Sequence, residues 1–398
     1  MRLLYLQQLL VLPHCPGNPR CFEFARHWTR QGNEVHFISS TAGIPADHPV
    51  WQYQLADGSY RYQGVYIHFV DLDYHHLWSF RKRIRAFLTF YRRVWAQREQ
   101  WQGFDAIIAY TAPLTVGDLG RRMSQSLGIP FLYEVADVWP DVPIGMGVIP
   151  AGPWRGWLLR RTRNIYQQAD TIVAFSEGMK TQICQHKVSP DKVYVIHNGA
   201  TIVEAPSRER SASGLHLIYT GTIGLANDVS QIALAAKRIQ ELGRQDIQFR
   251  IIGSGNDEAR LKVLLKKLEL QNLRWTPRVS KEQAYDALSE AEVGISCFAS
   301  YPVLEANSAT KFYDYLLAAM PVLINHQGWQ AEYLANHHCG LSSEQGDLEA
   351  FVKNILYLAD HPEERKQMGQ NARKLAISHF DRYRLSDRML QLLLALKK

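Results

Sequence analysis

The sequence contains no apolar run approaching the ~18 residues that a membrane-spanning helix needs. Cysteine is sparse and odd in number. There are five (Cys15, Cys21, Cys184, Cys297 and Cys339) and no Cys-x-x-Cys pair among them. That pattern supports neither a disulfide framework nor a zinc ribbon, and it favours a reducing compartment. No internal repeat recurs at a period of 20–50 residues, which excludes solenoids and propellers. Apolar residues make up 46% and charged residues 21%, so the chain is neither collagen-like nor low-complexity nor wholly disordered. The opening stretch has one arginine and no small-residue cleavage site, and it reads as a first strand rather than a signal peptide.

What is present is a 398-residue chain of net charge +7, long enough for two or three domains with sizeable cores. The charge is uneven, +6 over residues 1–200 and +1 over residues 201–398. Between 78 and 98, seven basic residues (Arg81, Lys82, Arg83, Arg85, Arg92, Arg93 and Arg98) occur without an acid. Arg155, Arg160, Arg161 and Arg163 form a second cluster. Such patches suit nucleic acid, a phospholipid surface or a pyrophosphate-bearing substrate.

Short β-rich runs alternate with helical patterns, which predicts βαβ units and parallel sheets. The first series of strands is Leu3–Leu10, Glu34–Ser39, Val65–Val70, Ala106–Tyr110, Pro130–Val135, Thr171–Phe175 and Val193–His197. The second is Leu215–Thr220, Ile247–Ile252, Asn272–Thr276, Val293–Cys297 and Pro321–Asn325. Two doubly wound α/β domains are expected, over 1–205 and 206–380, with a polar linker near 205–214 and an amphipathic helix over 381–398 whose packing the sequence leaves open.

Glycines gather at the ends of the expected strands. The first βα turn reads Pro13-His-Cys-Pro-Gly17-Asn-Pro-Arg20; it is not Gly-x-Gly-x-x-Gly, so a dinucleotide fingerprint is absent. The second domain opens with Leu217-Ile-Tyr-Thr-Gly221-Thr-Ile-Gly224, and Ile251-Ile-Gly253-Ser-Gly255 follows. Ligands of open α/β sheets bind outside the carboxyl ends of the strands, so these glycines point to a nucleotide-sized ligand, with ordinary turns as the alternative.

The most informative segment runs from Glu305 through Ala306, Asn307, Ser308, Ala309, Thr310 and Lys311 to Asp314. Asn307, Ser308 and Thr310 read as N-capping residues of a helix reaching about Ala319. Free N–H groups and Lys311 would suit a diphosphate, and Asp314 could accept from two ribose hydroxyls. The alternative is a capped helix with a Lys311–Asp314 surface pair.

This segment resembles the donor-site helix of the family-4 retaining glycosyltransferases, of GT-B fold. Further blocks in the same order, Pro113–Gly117, Tyr133–Asp141, Phe175–Lys180, Val195–Gly199 and Tyr219–Ala226, are similar to the bacterial capsule, O-antigen and exopolysaccharide branch. The resemblance implies two Rossmann-like domains facing across a cleft, the second holding a nucleotide-sugar and the first an acceptor. It implies a retaining hexosyltransferase that moves a sugar, UDP-linked in that branch, to a saccharide or polyprenyl-linked acceptor, with the nucleotide-sugar as substrate and no cofactor or metal required.

Under that resemblance Gly17, Gly221, Thr222, Gly224, Gly253, Arg278, Val279, Asn307, Ser308, Ala309, Thr310 and Asp314 would contact the donor. Lys311, Glu305 and Asp137 would carry the catalysis. The family often places a Glu eight residues before the ribose-binding acid; here that position is Ala306, beside Glu305. The usual Arg and Lys after the Gly221 loop are missing, and Lys311 and Arg278 are the candidate replacements. A histidine common in the first domain is replaced by Asp137 or Glu134.

Asp71-Leu-Asp73 with His75 and His76 matches a DxD metal motif but falls outside the donor domain, so no metal is expected. Leu77, Phe80, Ile84, Phe87, Leu88, Tyr91, Val94 and Trp95 recur at helical spacing among the arginines of 78–98. That helix is either a core-facing stripe with a solvated basic face or a docking element for an anionic inner leaflet, which would make a cytoplasmic protein peripheral on the membrane. Other readings are a sugar-nucleotide epimerase or phosphorylase of similar fold and a nucleic-acid-binding protein. The last is disfavoured because the strand-end glycines lie in the nearly neutral half.

Overall fold

The computed structural model describes residues 1–15, 17–75, 78–205 and 214–397. His76, Leu77 and nearly all of the expected linker lie outside the described residues. The chain divides into two compact units, one formed by 1–197 with 382–398 and the other by 198–381.

The first unit is built on an eight-stranded sheet. Its strands are β1 (Arg2–Leu6), β2 (Glu34–Ser40), β3 (Tyr60–Tyr62), β4 (Val65–Val70), β5 (Ala106–Tyr110), β6 (Phe131–Val135), β7 (Thr171–Ala174) and β8 (Val193–Val195). Their order is β3-β4-β2-β1-β5-β6-β7-β8. All neighbours are parallel except β3 and β4. Leu3, Leu4, Tyr5 and Leu6 of β1 are fully buried, as are Ala106 to Ala109 of β5, which is why both read as unbroken apolar runs. The β3–β4 hairpin turns at Gln63 and Gly64, both with positive φ, a two-residue turn whose twist matches that of the strands.

The helix Arg20–Arg30 turns Cys21, Phe22, Phe24, Ala25 and Trp28 inward. The closing helix Arg382–Leu396 packs on it, burying Leu385, Met389, Leu390 and Leu393. Trp28 Nε1 donates to the Ser386 carbonyl at 3.0 Å, and His27 and Gln31 reach the Asp387 carboxylate at 2.8 and 2.7 Å. The closing helix therefore belongs to the first unit.

The second unit carries six parallel strands: β9 (Leu215–Thr220), β10 (Ile247–Ile252), β11 (Leu273–Thr276), β12 (Val293–Ser296), β13 (Val322–Ile324) and β14 (Gly340–Ser342). They lie in the order β11-β10-β9-β12-β13-β14. The chain reverses direction across the sheet between β9 and β12, the switch point where open α/β sheets leave a crevice at the strand carboxyl ends. Helices cover both faces. Phe312, Tyr315 and Leu316 pack in one layer with Ala372 and Phe380, and Ile232, Ala236, Phe351 and Ile355 pack in the other.

Candidate functional site

In the second unit the helix Thr310–Leu317 is set by a small-residue fit. A Cβ on Gly294 of β12 would stand 2.3 Å from the Tyr315 ring, so only glycine admits that ring against the sheet. The Tyr315 hydroxyl then accepts from the Thr220 N–H at 2.8 Å, at the last residue of β9. Lys311 lies four residues earlier on the same helix face. Its ammonium is therefore carried to the carboxyl end of β9, 4.7 Å from the Tyr219 ring centroid and 3.3 Å from Asn227 Oδ1.

Glycine makes room for it there as well. Gly221 has a φ of +149°, and a Cβ on it would come within 2.8 Å of Lys311 Cε. The loops after β9 and β10 nest backbone to backbone. A Cβ on Gly253 would fall 1.8 Å from the Gly221 carbonyl oxygen, and one on Gly255 would fall 2.1 Å from that of Ile223. Thr222 is exposed at the tip of the first loop, and its carbonyl accepts from the Tyr219 hydroxyl at 2.7 Å.

Lys311 is 8% exposed, and burial pulls its pKa down to about 8. No carboxylate pairs with it among the described residues. Its titratable neighbours are neutral at physiological pH: burial pushes the Cys297 thiol up to about 12 and the His326 imidazole down to about 4. A buried cation with an asparagine as its hydrogen-bond partner is a costly arrangement unless an anion completes it.

The backbone just before the helix is pinned by its carbonyls. Trp329 Nε1 donates to the Asn307 carbonyl at 3.0 Å, and Asn198 Nδ2 donates to that of Ser308 at 2.8 Å. The N–H groups of Ser308, Ala309, Thr310 and Lys311 find no acceptor among the described residues. Here the capping expectation is corrected. Ala309 occupies the N-cap position and no side chain caps the helix, because the Ser308 hydroxyl is drawn to the Tyr313 hydroxyl at 2.7 Å. Four donors and the positive end of the helix are left open beside the Lys311 side chain.

Asp314 is half-buried, and its carboxylate takes no hydrogen bond or ion pair from a described residue. The alternative surface pair with Lys311 is absent because Lys311 turns inward. Glu305 lies in the short 3-10 turn Pro302–Ala306, where burial raises its carboxyl pKa against the pull of the Gln327 N–H. Its carbonyl would meet a Cβ on Gly328 at 3.0 Å. Arg278 is exposed, and its N–H donates to Ser254 Oγ at 3.0 Å. Val279 packs against the core.

In the first unit the two candidate carboxylates separate. Glu134 is fully buried, ion-paired to Arg20 and hydrogen-bonded by the Tyr5 hydroxyl, so it serves the interior of the sheet. Asp137, just beyond β6, is exposed. Thr111 Oγ1 accepts from the N–H groups of Ala136 and Asp137 at 2.8 and 3.3 Å. Gly17 has a φ of +129° and lies open to solvent ahead of the Arg20–Arg30 helix. Asp71 and Asp73 are exposed. Among the described residues, no group of three or more His, Cys, Asp or Glu side chains is placed to hold a metal ion.

Residues 19–202 match the family described as Glycosyltransferase Family 4, and residues 204–375 match Glycosyl transferases group 1. Solved structures share the fold. The Anabaena protein Alr3699/HepE, crystallised in complex with UDP, is 14% identical with a TM-score of 0.73, over 99% of this chain and 100% of that one. Sucrose-phosphate synthase (tll1590) from Thermosynechococcus elongatus is 13% identical with a TM-score of 0.78, over 99% and 98%. The chain belongs to the GT-B glycosyltransferases. Among curated relatives, WcaI of Escherichia coli (strain K12), named for glycosyl transfer in colanic acid biosynthesis, is 22% identical over 215 residues, 48% of this chain and 49% of that one. The chain spans about half the length of the curated relatives it matches.

Within the second unit of this GT-B glycosyltransferase the structure brings Gly221, Gly253 and Lys311 together at one strand end, beside the open N–H groups of 308–311. Sequence reasoning missed Asn227, the partner of Lys311, and Asn198, Trp329, Gly294 and Tyr315, which set the helix. Only Tyr315 left a signal, the i+4 spacing from Lys311 that puts both side chains on one face.

Proposed function

We propose that this glycosyltransferase moves a hexose, with retention of anomeric configuration, from a UDP-linked donor held by the second unit to a saccharide or polyprenyl-linked acceptor. The observation that carries the reading is the buried Lys311 ammonium, which meets no counter-charge among the described residues, at a helix start whose four N–H donors find no acceptor among them. A diphosphate supplies the missing anion. The names of similar proteins agree with it: Alr3699/HepE was crystallised with UDP and with UDP-glucose, and WcaI is named for colanic acid biosynthesis. Polysaccharide assembly is the setting this suggests.

In this reading Lys311 and the N–H groups of 308–311 hold the diphosphate and stabilise the charge that grows on it as the glycosidic bond breaks. Each such donor contributes on the order of 3 kcal/mol to the transition state. Asp314 takes the two ribose hydroxyls. Gly221, Thr222, Gly224 and Gly253 let the β9 and β10 loops approach the donor closely, and the Arg278–Val279 turn lies on the base side. Glu305 and Asn307 contact the sugar. The acceptor hydroxyl attacks on the face from which the diphosphate leaves, and the departing phosphate takes its proton. Asp137, with Gly17 on the acceptor side of the first unit, orients the acceptor and supports the positive charge of the sugar.

Retaining hydrolases instead flank the anomeric carbon with two carboxylates. Neither a cofactor nor a metal enters this reading. No helix among the described residues is long and apolar enough to cross a membrane. A cytoplasmic enzyme meeting a lipid-linked acceptor at the inner leaflet fits the basic helix of the first unit. Thermal shift with UDP, GDP and ADP tests the donor base, and NMR of the product's anomeric proton, after a nucleotide-sugar screen, tests retention. Stabilisation by none of the three nucleotides refutes the donor site.

A further inference from the structure

Two stacked tryptophans stand on the surface of the first unit, and nothing in the proposed transfer uses them. Trp154 and Trp157 open the helix Pro153–Gln168. Their ring centroids are 4.7 Å apart at an interplanar angle of 15°, and they are 55% and 47% exposed. The helix carries four arginines and no acid. A second acid-free helix, Phe80–Ala96, carries six basic residues and exposes Phe80 and Leu88. Of these ten cations, Arg161 alone meets a carboxylate among the described residues, that of Asp118 at 2.7 Å.

The two helices belong to one layer. Asp118, on the helix Leu114–Leu127, accepts from the Tyr91 hydroxyl of one at 3.1 Å and from Arg161 of the other. The three helices follow β4, β5 and β6, which are parallel to one another through the sheet. Their first turns therefore lie on the side of the strand carboxyl ends, where Asp137 follows β6. Exposed Phe80, Trp154 and Trp157 thus share the acceptor-side edge of the first unit with Arg81, Lys82, Arg83 and Arg155, none of which meets a carboxylate among the described residues.

We propose that this face docks on an anionic lipid bilayer, with Trp154 and Trp157 entering the interfacial layer and the arginines of both helices meeting lipid phosphates. Tryptophan settles at the headgroup level, where its ring is buried and its N–H stays wet. Basic residues near an anionic leaflet add electrostatic attraction. A merely solvated basic face would leave no reason for a stacked tryptophan pair, and a neutral glycan would leave nine cations without an anionic partner among the described residues. The proposal rests on the acceptor being lipid-linked: docking by this face presents the Asp137 edge to the headgroups.

The test is co-sedimentation of the full chain with phosphatidylcholine vesicles, with and without phosphatidylglycerol, at low and high salt. The UDP-induced melting shift is measured on the same samples. The expected result is binding to anionic vesicles that weakens with salt, and a drop of about tenfold or more in partitioning for Trp154→Ala/Trp157→Ala, with melting temperature and UDP response unchanged. Brominated lipid should quench the fluorescence of the wild type and much less that of the double variant, which a structural role would not produce. Charge reversal by Arg81→Glu/Arg85→Glu should weaken binding independently. Failure of the wild type to bind anionic vesicles at low salt overturns the proposal. So does a double variant that binds like the wild type, or tryptophan-dependent binding of a single-stranded oligonucleotide or oligosaccharide without vesicle binding. UDP stabilisation without vesicle binding refutes docking alone; vesicle binding without a nucleotide response refutes the donor reading alone.

Discussion

Replacing Lys311 by methionine removes one charge while keeping the length of the stem that lies against Gly221 and Tyr219. The effects on stability and on binding have opposite signs. In the free protein the buried ammonium is a burden. Its pKa falls from 10.5 to about 8, which corresponds to about 3 kcal/mol of differential cost to the charged form. Since the folded-state value lies below the unfolded one, the unfolded chain holds more protons between about pH 8 and pH 10.5. Stability of the free protein should therefore rise with pH across that window and then level off. Lys311→Met should lose that rise and melt no lower than the wild type at pH 7.

With UDP the order reverses. A charge-assisted contact to a phosphate is worth roughly 1.5–3 kcal/mol, so Kd should weaken about ten- to a hundredfold. If the same contact tightens in the transition state, kcat/KM falls further, by roughly a hundred- to a thousandfold. Bound diphosphate keeps the ammonium protonated. Wild-type affinity should therefore hold steady below about pH 8 and fall by about tenfold per unit above it, while the variant's profile stays flat. Isothermal titration of UDP from neutral to alkaline pH reads all of this. A variant that matched the wild type in both affinity and pH profile would refute the assignment of Lys311 to the diphosphate.

Gly253→Ala would drive a methyl group into the Gly221 carbonyl oxygen, 1.8 Å from the ideal Cβ; the expected loss is about 3 kcal/mol, seen as a lowered melting temperature and a lost UDP response. Asp314→Asn removes a half-buried carboxylate that holds no partner among the described residues, so stability should change by about 0.5 kcal/mol or less. UDP should nevertheless bind about tenfold more weakly, and the gap between UDP and 2′-deoxy-UDP should shrink. In the first unit, burial holds the His68 imidazole at about pKa 4, with the His36 ring 2.9 Å away. This lowered value makes stability fall as pH drops from about 6.5 towards 4, by about 3 kcal/mol from this group. An acid-denaturation midpoint that shifts down in His68→Gln checks it.

Strand runs rich in apolar and β-branched residues were legible in the sequence. Val65–Val70, Ala106–Tyr110, Leu215–Thr220 and Ile247–Ile252 have the bounds that their apolar residues predict. The first strand ends at Leu6 rather than Leu10, because its pairing with β5 stops at Leu6 opposite Ala109 while the apolar residues run on. Tyr60–Tyr62 and Gly340–Ser342 are three-residue edge strands, too short for alternation to register.

At the candidate site the small and polar run before Lys311 announced an open helix start. The inward turn of Lys311 did not announce itself, since it needs Gly221, Gly294 and Tyr315 from separate elements. The choice between Glu134 and Asp137 likewise depended on Arg20, a helix residue more than a hundred positions away that claims Glu134 for the interior.

The central claim is that the start of the Thr310–Leu317 helix holds the donor diphosphate. A crystal structure of the full chain with UDP tests it most directly. The account predicts phosphate oxygens about 3 Å from Lys311 Nζ and from the N–H groups of 308–311, with the ribose at Asp314. A nucleotide bound away from that helix, or one whose phosphates leave Lys311 with only Asn227, would contradict it.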